Sequence, residues 1–203
     1  MKVCIVQARL TSNRLPGKVM YPLNGEPVIR HVLRRCKQIK GIDRVVLAAP
    51  DDVRSTVLAV EARTLQVETF YGSETDVLER YFYAALNNRA KIVMRITADC
   101  PLIDPGICAN VLSILGDNDY ISNVYPRSTP RGHDCEVFTF DALHKAHREA
   151  TDPYDREHVT PYMQKNLKTA ALVGPYDEGA NYCLDIPQDY LRLQKLCQEN
   201  MYV

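Results

Sequence analysis

The chain has 203 residues, with 25 Lys plus Arg set against 25 Asp plus Glu and a formal net charge of zero. That balance speaks against a general nucleic-acid binder or membrane-surface binder, both of which carry a basic excess, and it leaves room for a local basic pocket. The seven cysteines are odd in number, show no C-x-x-C pair and include several inside apolar runs, so they read as reduced thiols in a cytoplasmic core, not a disulfide framework or zinc site.

In chain order, Val3 to Val6 reads as a buried strand. This apolar run ends at Gln7 and Arg9, too short for a signal segment or a membrane span. A polar loop is expected from Gln7 to Gly25, then a helix over Pro27 to Ile39 with Val28, Ile29, Val32, Leu33 and Cys36 on one face. Arg44 to Ala49 reads as a second strand, and Asp51 and Asp52 cap a helix running to about Thr64. A third strand covers Val67 to Tyr71, a helix Thr75 to Asn87, and a fourth strand Lys91 to Ile96. This βαβαβαβ order implies a parallel sheet with helices on both faces. Beyond it, Asp104 caps a short helix reaching Leu115. Strands are expected at Tyr120–Val124 and Glu136–Phe140, with a helix over Asp141–Ala150. Thr151–Asn166 is expected to be helical in its second half. Late strands at Ala170–Val173 and Tyr182–Asp185 precede a closing helix at Gln188–Glu199. With no linker or repeat, residues 1–203 read as a single domain.

Two stretches stand out chemically. The loop from Gln7 to Lys18 lies at the carboxyl end of the first strand, where open α/β sheets bind ligands. It gathers Arg9, Arg14 and Lys18 among the small residues Ala8, Thr11, Ser12 and Gly17, a composition suited to a polyphosphate. A solvated basic loop with a Pro-Gly turn is the plainer alternative. The G-x-x-x-x-G-K-[ST] pattern of a P-loop is absent. At the end of the fourth strand, Thr97-Ala98-Asp99-Cys100-Pro101 presents a carboxylate toward the same cleft, and Mg²⁺ favours such hard oxygen donors; a turn-capping role for Asp99 is the alternative. His31, His144 and His147 read as exposed helix residues, and His158 lacks the H-E-x-x-H context of zinc.

These motifs, together with Arg95-Ile96-Thr97-Ala98-Asp99-Cys100-Pro101-Leu102-Ile103-Asp104, Asp152 to Tyr162, and Leu184-Asp185-Ile186-Pro187-Gln188-Asp189-Tyr190, resemble the acylneuraminate cytidylyltransferase superfamily. Within it, the chain resembles the spore coat polysaccharide biosynthesis protein F group. The first string matches an R-x-x-S-x-R-L-P-x-K signature and the last a V-D-T-P-E-D-L element. The resemblance implies a three-layer α/β sandwich of the nucleotide-diphospho-sugar transferase type, with a mostly parallel Rossmann-like sheet. It implies transfer of CMP from CTP to a sugar, a sugar acid above all, with release of pyrophosphate, in bacterial surface or spore-coat polysaccharide synthesis. Arg9, Lys18 and Asp99 are then catalytic, and Gln7, Ala8, Ser12 and Arg14 join Arg9 and Lys18 around the nucleotide. Asp76, with Gly72 and Ser73, is a candidate base reader. Asp99 and Asp185 hold Mg²⁺, while Asp189 supports the start of the last helix. The loop from Tyr125 to Glu136 lines the sugar side, where Arg131 and His133 suit a carboxylate or phosphate and Asp134 and Glu136 suit hydroxyls, a charged surface loop being the alternative; Arg156 and His158 address the substrate anion or a partner subunit. A cytoplasmic homodimer using CTP and a small sugar, without nucleic acid or membrane, completes the expectation. A glycosyltransferase of the same architecture and a non-catalytic nucleotide-binding protein are the competing readings.

Overall fold

The computed structural model describes residues 1–174 and 176–199. Strand β1 (Lys2–Gln7) lies inside the parallel part of the sheet. It pairs in parallel with β4 (Arg44–Pro50) on one side and β6 (Ile92–Thr97) on the other, with Val6 facing Leu47 and Ile96. β5 (Glu68–Gly72) continues the parallel half outside β4. Val3 and Ile5 bury against one face of the sheet and Cys4 and Val6 against the other, which is why this strand is apolar without alternation.

Helices α1 (Val28–Cys36), α2 (Thr56–Thr64) and α4 (Pro105–Ser113) supply Ile29, Val32, Leu33, Leu58, Cys108 and Val111 to the Cys4 face. Helices α3 (Val77–Asn87) and α5 (Phe140–Glu149) supply Leu78, Tyr81, Ala84, Leu143 and Ala146 to the Val3 face. The expected α/β sandwich, with helices on both faces, is thus the observed fold. Each cap follows from its residue: Asp52, Asp76 and Asp104 each accept a hydrogen bond from a backbone N–H of the following turn.

The second half of the sheet is not parallel. β8 (Glu136–Thr139) pairs antiparallel with β6, β7 (Tyr120–Ser122) antiparallel with β8, and β9 (Thr169–Ala171) parallel with β7. The order β5-β4-β1-β6-β8-β7-β9 therefore makes a mixed sheet. Three local expectations change. The polar loop after β1 contains a small hairpin, β2 (Pro22–Leu23) and β3 (Glu26–Pro27), turned by Asn24 and Gly25, both at positive φ, as an Asn-Gly turn requires. The 151–166 stretch is two helices, α6 (Pro153–His158) and α7 (Pro161–Asn166), because Val159 takes a φ of 72° and Thr160 precedes a proline. The 182–185 segment is no strand; it is attached by an isolated bridge between Arg131 and Asn181. Among the histidines, His144 is exposed as expected, whereas His31 is half-buried against the Leu23 carbonyl at 2.7 Å and half-buried His147 stacks on Phe82.

A smaller apolar cluster sits beyond the strand ends: Leu15, Leu23, Val28, Leu102, Leu184 and Leu193. It joins the loop after β1, the hairpin, the turn after β6 and the closing helix α8 (Pro187–Gln198), whose Tyr190 hydroxyl donates to the Pro22 carbonyl at 2.5 Å. The 181–185 segment is also held from outside. The Tyr182 N–H donates to the Arg131 carbonyl at 2.7 Å, and Gly132 lies so close that a Cβ there would fall 2.4 Å from the Tyr182 carbonyl carbon. Gly132 also has φ +94°. Gly132→Ala is therefore expected to cost at least about 1–3 kcal/mol from backbone strain before any clash; an unchanged urea midpoint for this variant would contradict the packing.

Candidate active site

The loop after β1 is a closed structure. The Gly17 N–H donates to the Leu10 carbonyl at 2.9 Å, and Gly17, at φ 68°, leads into a 3-10 turn over Lys18–Met20. That turn buries Lys18, which is 8% exposed. Its ammonium donates to Asp99 Oδ2 at 2.6 Å and Asp185 Oδ1 at 3.2 Å. Arg14 reaches the other oxygen of Asp185 at 2.7 Å. Burial pulls the Lys18 pKa down, but the charge and hydrogen bond of Asp99, with Cys183 and Asp185 behind them, outweigh it and hold the ammonium above the ordinary lysine value. Asp99 follows the end of β6, and its carbonyl accepts from the Leu184 N–H at 2.8 Å. Asp185 is set by Asp189, whose Oδ2 accepts from the Asp185 and Ile186 N–H groups at 2.9 and 3.0 Å. Burial disfavours the charge on Asp189, yet these bonds and Arg192 keep its pKa below the usual carboxylate value. The expected support of the helix start by Asp189 is thus visible as a capping contact.

The three charged groups form the floor of a cleft of about 300 Å³, at the small end of ligand sites. Five basic side chains, Arg9, Arg14, Lys18, Arg80 and Arg95, line it against three acidic ones, Asp99, Asp185 and Glu157. Three buried polar atoms of lining residues, Gln7 Oε1, Arg80 Nε and Arg95 Nε, have no hydrogen-bond partner. Buried groups of this kind cost free energy unless a ligand or water satisfies them. Arg80 rises from α3 past Gly72, where a Cβ would meet its Cγ at 3.0 Å, and donates to the Ser73 carbonyl. Burial holds Arg80 below the usual arginine value.

The cleft brings together Gln7, Ala8, Arg9, Ser12, Arg14, Lys18, Asp99, His158 and Asp185, nine of the residues singled out in the sequence. Arg9 is exposed and lies 3.9 Å from Glu157. The other expected residues are placed elsewhere. Asp76 caps α3 and pairs with Arg156 at 2.6 Å, and Arg156 also donates to the His147 and Ala150 carbonyls at 3.0 and 3.1 Å. Both are spent on tethering α6 to α3 and α5. Gly72 and Ser73 serve Arg80 and the Asp76 turn. Glu136 is buried on β8, paired with Arg95 and accepting from the Tyr120 hydroxyl at 2.6 Å and Thr160 at 2.7 Å; it has no free face for a substrate hydroxyl. His133 is buried against Tyr182, and burial lowers its pKa. Arg131 is exposed beside Asn181, outside the cleft lining, and Asp134 is paired with Arg127 at 2.6 Å. Sequence reasoning missed Arg80 and Arg95. Their signal was present: Arg80 interrupts the buried stripe of α3, and Arg95 sits inside an apolar strand, where a charge is seldom found without a purpose.

Comparison with known proteins agrees with this geometry. A family model described as cytidylyltransferase matches residues 3–203. The chain is 30% identical over 208 residues to the spore coat polysaccharide biosynthesis protein SpsF of Bacillus subtilis, covering 96% of this chain and 85% of that protein. It is 27% identical over 174 residues to the 8-amino-3,8-dideoxy-manno-octulosonate cytidylyltransferase of Shewanella frigidimarina, covering 82% of this chain and 66% of that protein. A solved structure of a cytidylyltransferase from Leptospira borgpetersenii superposes with a TM-score of 0.88 at 28% identity, covering 98% of this chain and 94% of that one.

The assignment of Glu136 to the interior has a measurable consequence. Glu136→Ala would leave Arg95 buried and unpaired, and the expected loss of unfolding free energy is about 3–5 kcal/mol. A variant as stable as the wild type would mean that Glu136 is available to bind substrate after all.

Proposed function

The chain belongs to the cytidylyltransferase family, and from that premise we propose that it transfers CMP from CTP to a sugar acid, releasing pyrophosphate, in the synthesis of a bacterial surface or spore-coat polysaccharide. The observation that carries the reading is the meeting of Lys18, Asp99 and Asp185 at the floor of one basic cleft. The sugar-acid acceptor rests on the name of the Shewanella relative, and the polysaccharide context on that of the Bacillus relative.

In this reading the triphosphate lies along Arg9, Arg14 and Lys18, with Ser12 and the Ala8 backbone beside it. The cleft's unpartnered polar atoms on Gln7, Arg80 and Arg95 then find acceptors and donors on the nucleotide. An acceptor hydroxyl gives up its proton to solvent as its oxygen attacks the α-phosphorus in line. A new oxygen–phosphorus bond forms as the bond to the bridging oxygen breaks, and the electron pair leaves with pyrophosphate. Such chemistry needs little covalent help; positioning and charge neutralisation dominate. Lys18 and the arginines orient the phosphates and hold the charge that develops on the leaving group.

The site also suits Mg²⁺. Asp99 and Asp185 already converge on one cation, the Lys18 ammonium, and offer the hard oxygen donors that Mg²⁺ takes in ones and twos beside phosphate. Asp99 and Asp185 would hold the ion, which when bound supplies further neutralisation at the phosphates. We further propose that residues 1–203 act as one catalytic domain, as a homodimer in the cytoplasm. Support for that compartment comes from seven free cysteines and from the lack of any helix, among the described residues, long and apolar enough to cross a membrane.

Two measurements test the proposal. Among the four nucleoside triphosphates with Mg²⁺, CTP should raise the melting temperature most, with about 2.7 kcal/mol of added stability at a hundredfold excess over Kd; equal shifts from all four would remove the case for cytidine. Asp99→Asn should lower pyrophosphate release from CTP and a sugar-acid panel by about a hundredfold or more, while CTP still binds in the absence of metal. Wild-type turnover in this variant would refute the role given to Asp99, and sugar transfer from a ready-made nucleotide sugar without pyrophosphate would point to a glycosyltransferase instead.

A further inference from the structure

The Asp99 carboxylate has two sides. Its Oδ2 faces Lys18, while its Oδ1 lies 3.8 Å from the Cys100 thiol. The Cys100 sulfur also lies 3.4 Å from Thr97 Oγ1, and the Cys183 sulfur lies within 4.8 Å of that sulfur. One donor atom from each of Asp99, Cys100 and Cys183 lies within 4.8 Å of the others. We propose that these three residues form a second cation site, selective for a thiophilic d¹⁰ ion such as Zn²⁺ or Cd²⁺, that shares the Asp99 carboxylate with Lys18.

Metal–sulfur bonds of about 2.3 Å and metal–oxygen bonds of about 2.0–2.2 Å in a tetrahedron bring ligand atoms within about 4 Å of one another, so the observed spacing needs only a small closure. Two sulfurs select against Mg²⁺, which takes oxygen. The frame that sets the spacing is fixed: the Leu184 N–H is bonded to the Asp99 carbonyl at 2.8 Å, and the Cys183 N–H to Asn181 Oδ1 at 3.0 Å. Cys183 and Asp99 are only half-buried, which gives an ion a way in. The other adjoining thiols, Cys4 with Cys36 and Cys108 with Cys135, are fully buried. Among the described residues, no other group of three or more His, Cys, Asp or Glu side chains has this spacing. On binding, the two thiol protons pass to solvent and the ion takes two thiolates and one carboxylate oxygen, leaving a fourth position for water.

One consequence rests on the proposed function: an ion held here draws Asp99 away from the Lys18–Asp185 side and blocks cytidylyl transfer. The test uses the full chain with its thiols kept reduced by a phosphine, and Cd²⁺ alone as the probe. One Cd²⁺ per chain should bind with a thiolate-to-cadmium ultraviolet band. Cys183→Ser should lose the band or weaken binding by at least about tenfold, while Cys108→Ser keeps it. Absence of the band, or its persistence unchanged in folded Cys183→Ser, overturns the site. With Mg²⁺, CTP and sugar, Cd²⁺ should lower pyrophosphate release at least about tenfold in the wild type and spare Cys183→Ser; full turnover with the band present overturns the competition for Asp99. The band reads out with or without a turned-over sugar, so failure of this site and failure of the cytidylyltransferase reading are distinguishable.

Discussion

The cleft depends on one buried ammonium held between two carboxylates. Lys18 lies 81 positions from Asp99 and 167 from Asp185 in sequence. A buried lysine without partners would shed its proton, and two carboxylates facing each other without a cation would repel. Each group therefore justifies the others, and the three can coexist only if the ends of β1 and β6 and the start of α8 arrive at one point. The apolar cluster around Leu15, Leu102, Leu184 and Leu193 supplies that convergence. Its members flank the charged residues by a few positions, so burying the leucines aims the polar side chains.

A second polar centre lies behind the first. Glu136 joins Arg95 of the central sheet to Tyr120 on β7 and Thr160 before α7, and Gln164 donates to the Tyr120 hydroxyl at 3.0 Å. Burial resists ionisation of Tyr120, and the neighbouring Glu136 charge resists it further, so its pKa is raised. Arg95 belongs to both centres: one guanidinium nitrogen is bound to Glu136, while its Nε is unpartnered in a residue that lines the cleft. The antiparallel half of the sheet is in this way coupled to the floor of the site. It contributes a buried counter-charge that holds a cleft arginine in place.

How far the sequence could be read follows from the kind of signal each feature leaves. The parallel core was legible because β1, β4 and β6 carry runs of buried apolar residues and the helices carry their apolar residues at helical spacing. The basic loop after β1 was legible from a dense motif, Gln7 to Lys18, lying at the end of a strand. The antiparallel turn of β8 was not, because pairing direction leaves no mark on four residues that are buried on both faces. Arg131, His133, Glu136, Arg156 and Asp76 resembled binding residues because a charged or polar side chain near a loop looks the same whether it meets a ligand or a protein partner. Only coordinates reveal that Asp76 and Arg156 satisfy each other, and that Glu136 already has three donors.

The sequence by itself determined the fold class, the family and the chemical character of the first loop, since these rest on local periodicity and on contiguous motifs. Tertiary structure alone decided that Asp99 and Asp185 share the Lys18 ammonium, that Arg80 and Arg95 face the same cleft, and that two cysteines stand close to the Asp99 carboxylate. Those facts depend on distances between residues far apart in the chain. Distance across a fold is set by packing of the apolar clusters, which no local pattern of polar residues encodes.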